Sequence, residues 1–159
     1  MRKVIAFLYI SLSVLFLLSG CNSNDADANE NIFKFKDSFV GDNSAVGNIA
    51  NQLPGSKHLN GFELKTNEEP YGIILNYDWT DSPEEYRETV IYNATFLFTL
   101  VQNVEWITFN SDISEYTITK DNLQEWYGKE FSNVQNEDEL REIVLEFSED
   151  ENKVKQLLK

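Results

Sequence analysis

Tyr71, Ile73, Leu75, Tyr77 and Trp79 alternate with Gly72, Ile74, Asn76 and Asp78, and this period of two predicts a β-strand with one face on a core. Just upstream, Phe62, Leu64 and Thr66 alternate with Glu63, Lys65 and Asn67, which predicts a partner strand joined through the polar connection Asn67-Glu68-Glu69-Pro70. The period then changes. Tyr86, Val90, Ala94, Leu97, Val101 and Val104 recur at steps of three and four behind Ser82-Pro83-Glu84-Glu85, a start with Ser82 as cap, Pro83 at the first position and Glu85 at the capping-box position. From Ala94 to Val101 this helix is apolar on nearly every side, so its second half is expected to be buried all round.

Trp106, Thr108 and Asn110 against Ile107, Phe109 and Ser111 predict a third strand, and Tyr116 and Ile118 a fourth. Before these, Ala45, Val46, Ile49, Ala50 and Leu53 form a short amphipathic helix that Asp42-Asn43-Ser44 would cap and Pro54-Gly55 would stop. After them, Asp121 and Gln124 open a helix that Gly128 ends. Asn136 and Glu139 repeat the capping box ahead of the stripe Leu140, Ile143, Val144 and Phe147, which Val154, Leu157 and Leu158 prolong. The order is helix, then ββαββα. It predicts an α+β fold, an antiparallel sheet of about four strands with helices packed on one face.

The N-terminal end has a different pattern. Arg2 and Lys3 precede the apolar run Val4–Leu18, broken only by Ser11 and Ser13, and Leu18-Ser19-Gly20-Cys21 follows with the chain's only cysteine. The run is short for a membrane span and is closed by small residues. This resembles the lipobox of a bacterial lipoprotein, which implies cleavage between Gly20 and Cys21 and a lipid, palmitate included, on the Cys21 thiol. Residues 1–20 are then a signal peptide, 21–31 a flexible tether and 32–159 a single globular domain. Asn22–Asn31 holds no large apolar residue to offset ordering entropy and reaches roughly 17 Å as a coil. Asp25, Asp27 and Asn29 have the spacing that opens a calcium loop, but Glu30 replaces its glycine and Lys36 its bidentate glutamate. Acyl chains contribute about 0.8 kcal/mol per buried methylene, enough for two of them to hold a protein on a membrane.

The chain carries 13 basic and 27 acidic residues, net −14, and the leader holds Arg2 and Lys3 with no acid, so the mature chain stands at −16. That balance argues against nucleic acid and against lying flat on anionic headgroups, and it keeps basic partners open. Acylation of Cys21 leaves no thiol for redox or nucleophilic work. His58 is the single histidine and has no cysteine or acid at ligand spacing, so neither a zinc site nor a catalytic triad is expected. The chain has no phosphate-binding glycine loop, dinucleotide fingerprint or nucleophile elbow, and no cofactor is expected.

Trp79, Trp106 and Trp126 are candidates for a stacking platform, each set against a core role, with Trp79 at a strand end the least constrained. Asp42, Asn43 and Ser44 could present free helix amides to an anion, although capping is the better use of Asp42.

Gly41-Asp42-Asn43-Ser44, Val46-Gly47-Asn48, Leu53-Pro54 and Pro70-Tyr71-Gly72-Ile73 together resemble an uncharacterised domain of envelope lipoproteins in Gram-positive bacteria, over about Phe35 to Tyr127. Similar domains are attached to membrane-embedded sensor peptidases, which implies an extracytoplasmic sensing or binding role. The resemblance carries over no catalytic residue. The functional expectation is therefore a membrane-anchored, non-enzymatic domain that binds a peptide, a wall component or an envelope protein. Asp42, Asn43, Ser44, Tyr71 and Trp79 are its candidate ligand residues. A wall-active hydrolase using paired carboxylates and a structural or sporulation component are the alternatives.

Overall fold

The computed structural model describes residues 31–130, 133–148 and 151–158, which belong to one compact unit, Asn31–Lys159. The leader, Gly20, Cys21 and all of the tether but Asn31 lie outside the described residues. A 3-10 turn at Ile32–Phe35 brings the chain in. Then come α1 (Asn43–Gln52), a second turn (Ser56–His58), β1 (Leu59–Lys65), β2 (Gly72–Tyr77) and α2 (Pro83–Leu100). They are followed by β3 (Trp106–Asn110), β4 (Glu115–Thr119), α3 (Lys120–Tyr127), α4 (Glu137–Ser148) and α5 (Glu151–Leu157). The fold is α+β with one four-stranded sheet, as the periodicity predicts.

The sheet order is β1-β2-β3-β4, and its centre departs from expectation. β1 pairs with β2 and β3 with β4 antiparallel, but β2 and β3 run parallel, so the sheet is mixed rather than antiparallel throughout. The cause is the connection. α2 has 18 residues and spans roughly 27 Å, enough to carry the chain back along the sheet so that β3 starts at the same end as β2. Alternation of side chains reports faces and is silent on direction. Register then aligns Ile73, Ile107 and Ile118 in one row and Leu75, Phe109 and Tyr116 in the next. Ile73, Leu75, Ile107, Phe109 and Ile118 are buried in one cluster with Val90, Ala94 and Leu97 of α2. On the opposite face Glu63, Glu115 and Thr117 stand exposed.

α2 is the structural centre. Every residue from Asn93 to Val101 is buried, the all-round burial its apolar sequence predicts. Thr95 donates to the Ile91 carbonyl at 2.7 Å and meets the Tyr127 hydroxyl at 3.0 Å, whereas the Asn93 Oδ1 and the Tyr86 and Tyr92 hydroxyls are buried without a partner among the described residues. The Asn93 amide donates to Pro54 O at 3.0 Å and to the Tyr77 hydroxyl at 3.1 Å, which ties α2 to the α1–β1 connection and to β2. The helix stops at Leu100, earlier than the stripe predicts, and Val101 and Val104 stay buried in the connection to β3.

The caps show which local signals hold. Asp42 caps α1, its carboxylate accepting from Ala45 N at 2.9 Å, and Asn136 accepts from Glu139 N at 2.9 Å ahead of α4. Replacing Asp42 by alanine is expected to cost about 0.5–2 kcal/mol, read as a lower urea midpoint at unchanged slope. Ser82 differs: it adopts a left-handed backbone (φ 50°) and makes no side-chain cap, so only Pro83 and the acidic first turn serve the start of α2. For α3 the cap is Thr119, which accepts from Asn122 N at 3.2 Å, rather than Asp121.

Candidate functional site

Trp79 is not a surface ring. It is 2% exposed, beyond the last paired residue of β2 but on the same core parity as Ile73, Leu75 and Tyr77. Its centroid lies 4.4 Å from that of His58 and 5.4 Å from that of Tyr86. A side chain at Gly55, which has φ 75°, would meet the Trp79 ring at 2.7 Å. Burial thus removes Trp79 from the candidate ligand residues. His58 shares this structural use, its ring tilted against Trp79 with Nδ1 3.1 Å from the Asp78 carbonyl oxygen. Trp126 is half-buried and donates from Nε1 to Lys153 O at 2.9 Å, pinning α5 to α3.

Asp42 is committed to the Ala45 amide, and Asn43 and Ser44 are exposed beside it. None of these three lines the groove that Tyr71 lines.

At the end of the sheet where the parallel strands β2 and β3 begin, Glu69, Pro70, Tyr71, Asn103 and Glu105 enclose this groove of about 410 Å³. Its backbone is fixed from several sides. Glu105 N donates to Tyr71 O at 2.9 Å, and Lys120 N donates to Glu105 O at 2.9 Å. The Asn103 Oδ1 accepts from Val40 N at 2.7 Å, which leaves its amide hydrogens for other partners and anchors the arm leading to Asp42. Tyr71 is half-buried, whereas Glu69, Pro70 and Glu105 are exposed. Neither Glu69 nor Glu105 belongs to an ion pair: the pairs among the described residues are Lys65 with Glu63, Arg87 with Glu84 and Arg141 with Glu137.

Trp106 supports this groove from the opposite face of the sheet. It pairs with Gly72 across β2 and β3, and its indole lies on that glycine so closely that a Cβ there would fall 2.1 Å from the ring. The indole Nε1 donates to Pro70 O at 2.9 Å. Each member of Pro70-Tyr71-Gly72 therefore has a distinct use. Pro70 offers the carbonyl, Tyr71 faces the groove, and Gly72 leaves the space in which the indole sits.

The other short motifs resolve into packing in the same way. Gly47 leaves room for the Phe62 ring, which a Cβ would meet at 3.3 Å, Leu53 is buried, and Pro54 accepts from Asn93. Of the residues in the four motifs, Pro70 and Tyr71 line this groove.

Comparison with known families bears on the same stretch. A family model described as "Domain of unknown function (DUF4825)" matches residues 32–121, more than half of the chain. The chain belongs to the DUF4825 family. No curated protein and no solved structure matches it. The match spans α1, the whole sheet and α2 and stops as α3 begins, so all five groove residues fall within the DUF4825 segment. Two other grooves do not. One draws on Gln124 and Glu130, and the other on Glu125, Trp126, Lys153, Gln156 and Leu157.

Sequence reasoning named Tyr71 and missed Glu69, Asn103 and Glu105. Glu69 reads as one more acid in a polar connection. Asn103 and Glu105 flank the apolar Val104 and read as the turn between α2 and β3. They reach Tyr71 through the parallel pairing of β2 with β3. One local signal was available: a proline-aromatic-glycine run at a strand start, with a tryptophan opening a later strand that could lie on the glycine.

Proposed function

We propose that this DUF4825 chain is a lipid-anchored, extracytoplasmic binding domain of the cell envelope, held through Cys21 and taking its ligand in the groove at Glu69–Tyr71, Asn103 and Glu105. The leader supports the anchor, with basic Arg2-Lys3, an apolar run and Leu18-Ser19-Gly20-Cys21 in the right order. No helix of the described residues is long and apolar enough to cross a membrane. The observation that carries the binding half is the groove itself, in which a half-buried aromatic ring and a few polar groups converge on positions fixed by strand pairing.

Two halves call for two variants. With Cys21→Ser, incorporation of labelled palmitate is expected to be lost and the chain to leave the membrane fraction; retention of both would contradict the anchor. With Tyr71→Ala in the anchored protein, recovery of an envelope component from crosslinked membranes is expected to fall to the level of an anchor-only control. Undiminished recovery would contradict the groove.

A second reading rests on the same two carboxylates. A wall-active hydrolase needs an acid pair about 5 to 9 Å apart, and Glu69 and Glu105 face one cavity. In that case Glu105→Gln would abolish release of soluble wall fragments while leaving recovery of the wall component intact. A binding domain releases none to begin with.

A further inference from the structure

We infer that the groove takes an organic cation, an ammonium group carried on a small alkyl or sugar body. The inference rests on the reading of the groove as a ligand site and adds its chemistry. Glu69 and Glu105 contribute two carboxylates in no ion pair, and no lysine, arginine or histidine lines the cavity. The chain around it is itself at −14. Field lines from paired acids in a concavity concentrate cations, and an anionic ligand would face the whole protein's repulsion.

The walls decide which kind of cation. A divalent metal ion asks for six or more oxygen ligands, or for a near-octahedral shell. No group of three or more His, Cys, Asp or Glu side chains capable of holding a metal occurs among the described residues. Pro70 and the half-buried Tyr71 ring supply apolar and aromatic surface instead, the surroundings in which a diffuse ammonium charge is held by an aromatic face and offset by carboxylates. The Asn103 amide, with Oδ1 engaged by Val40 N, presents donors that suit a hydroxyl or carbonyl on the body of such a ligand. A cavity of about 410 Å³ lies within the range for small-molecule sites.

The Trp106 indole N–H, bonded to Pro70 O, provides a built-in reporter. The test is a nuclear magnetic resonance titration of the full-length chain in phosphatidylglycerol nanodiscs with choline, with its uncharged isostere 3,3-dimethyl-1-butanol, and with magnesium chloride. Choline is expected to shift the Trp106 indole and Glu105 amide resonances saturably and the neutral alcohol to leave them unmoved. The double variant Glu69→Gln, Glu105→Gln, with its spectrum otherwise preserved, is expected to weaken choline by about tenfold or more. Absence of a saturable choline shift overturns the assignment. Equal shifts from the alcohol also overturn it, yet leave the groove as a ligand site. Displacement of choline by an equal concentration of magnesium would assign the acids to a metal and overturn it as well.

Discussion

Substituting Gly72 by alanine is expected to destabilise the domain by about 1–3 kcal/mol from overpacking, with about 0.5–1.5 kcal/mol more from the bond lost when the indole moves off Pro70. The added methyl would fall 2.1 to 2.4 Å from three atoms of the Trp106 ring, a rigid group with no flexible end to give way. Glycine carries more backbone entropy to lose on folding than alanine, so alanine at the start of β2 would ordinarily be neutral or favourable. A loss therefore isolates the indole contact. Urea unfolding supplies the magnitude. A changed Trp106 indole resonance would show that the ring has been displaced, and the groove should loosen with it because Pro70 loses its donor. A Gly72→Ala variant as stable as the parent would mean that the indole does not rest on the glycine.

Alkaline pH is expected to unfold the protein before its buried phenols ionise. Burial raises Tyr77 and Tyr127 from 10.0 to about 12, their hydroxyls lying against Asn93 and Thr95 in the core. The fold holds the neutral phenol, so this contribution to stability is fully present below pH 10, the unfolded value. It is lost as pH rises toward about 12. Each unit is 1.36 kcal/mol, so the two residues together withdraw on the order of 5 kcal/mol across that window, comparable with the stability of a small domain. Circular dichroism and phenolate absorbance followed together should change in one step above pH 10. Phenolate appearing for Tyr77 and Tyr127 with the dichroism unchanged would contradict their burial. Tyr77→Phe should move the step to higher pH, the Asn93 amide keeping Pro54 O as its acceptor.

Much of the fold is legible in the sequence because burial and periodicity are the same fact seen twice. Residues 71–77 alternate because one side of β2 is core, and residues 93–101 are apolar all round because α2 is enclosed. Asp42 and Gly128 are legible because a cap depends on one or two local bonds. Ser82 misleads for the complementary reason: its identity suits a cap, but a left-handed backbone sets by itself where the hydroxyl can reach. The parallel pairing of β2 and β3 is invisible to any local pattern, since it follows from the length and packing of the intervening helix.

The site was less legible than the fold. Tyr71 could be named, but its neighbours Asn103 and Glu105 are more than thirty residues away and meet it only across the pairing that the sequence does not reveal. Trp79 shows the converse error. A tryptophan at the end of an alternating run looks free, yet it keeps the core parity of the strand and fills the space beside Gly55, His58 and Tyr86. Trp106 is half-buried, its indole lying on Gly72 and bonded to Pro70 O.

The most direct test of the groove is site-specific photo-crosslinking in living cells, with benzoylphenylalanine placed at Tyr71 in one strain and at Thr117 in another. Thr117 is exposed on the opposite face of the sheet and serves as the internal control. If the groove is where this DUF4825 domain meets its ligand, an envelope component is captured from position 71 and not from position 117. Capture from position 117 alone, or equally from both, would contradict it.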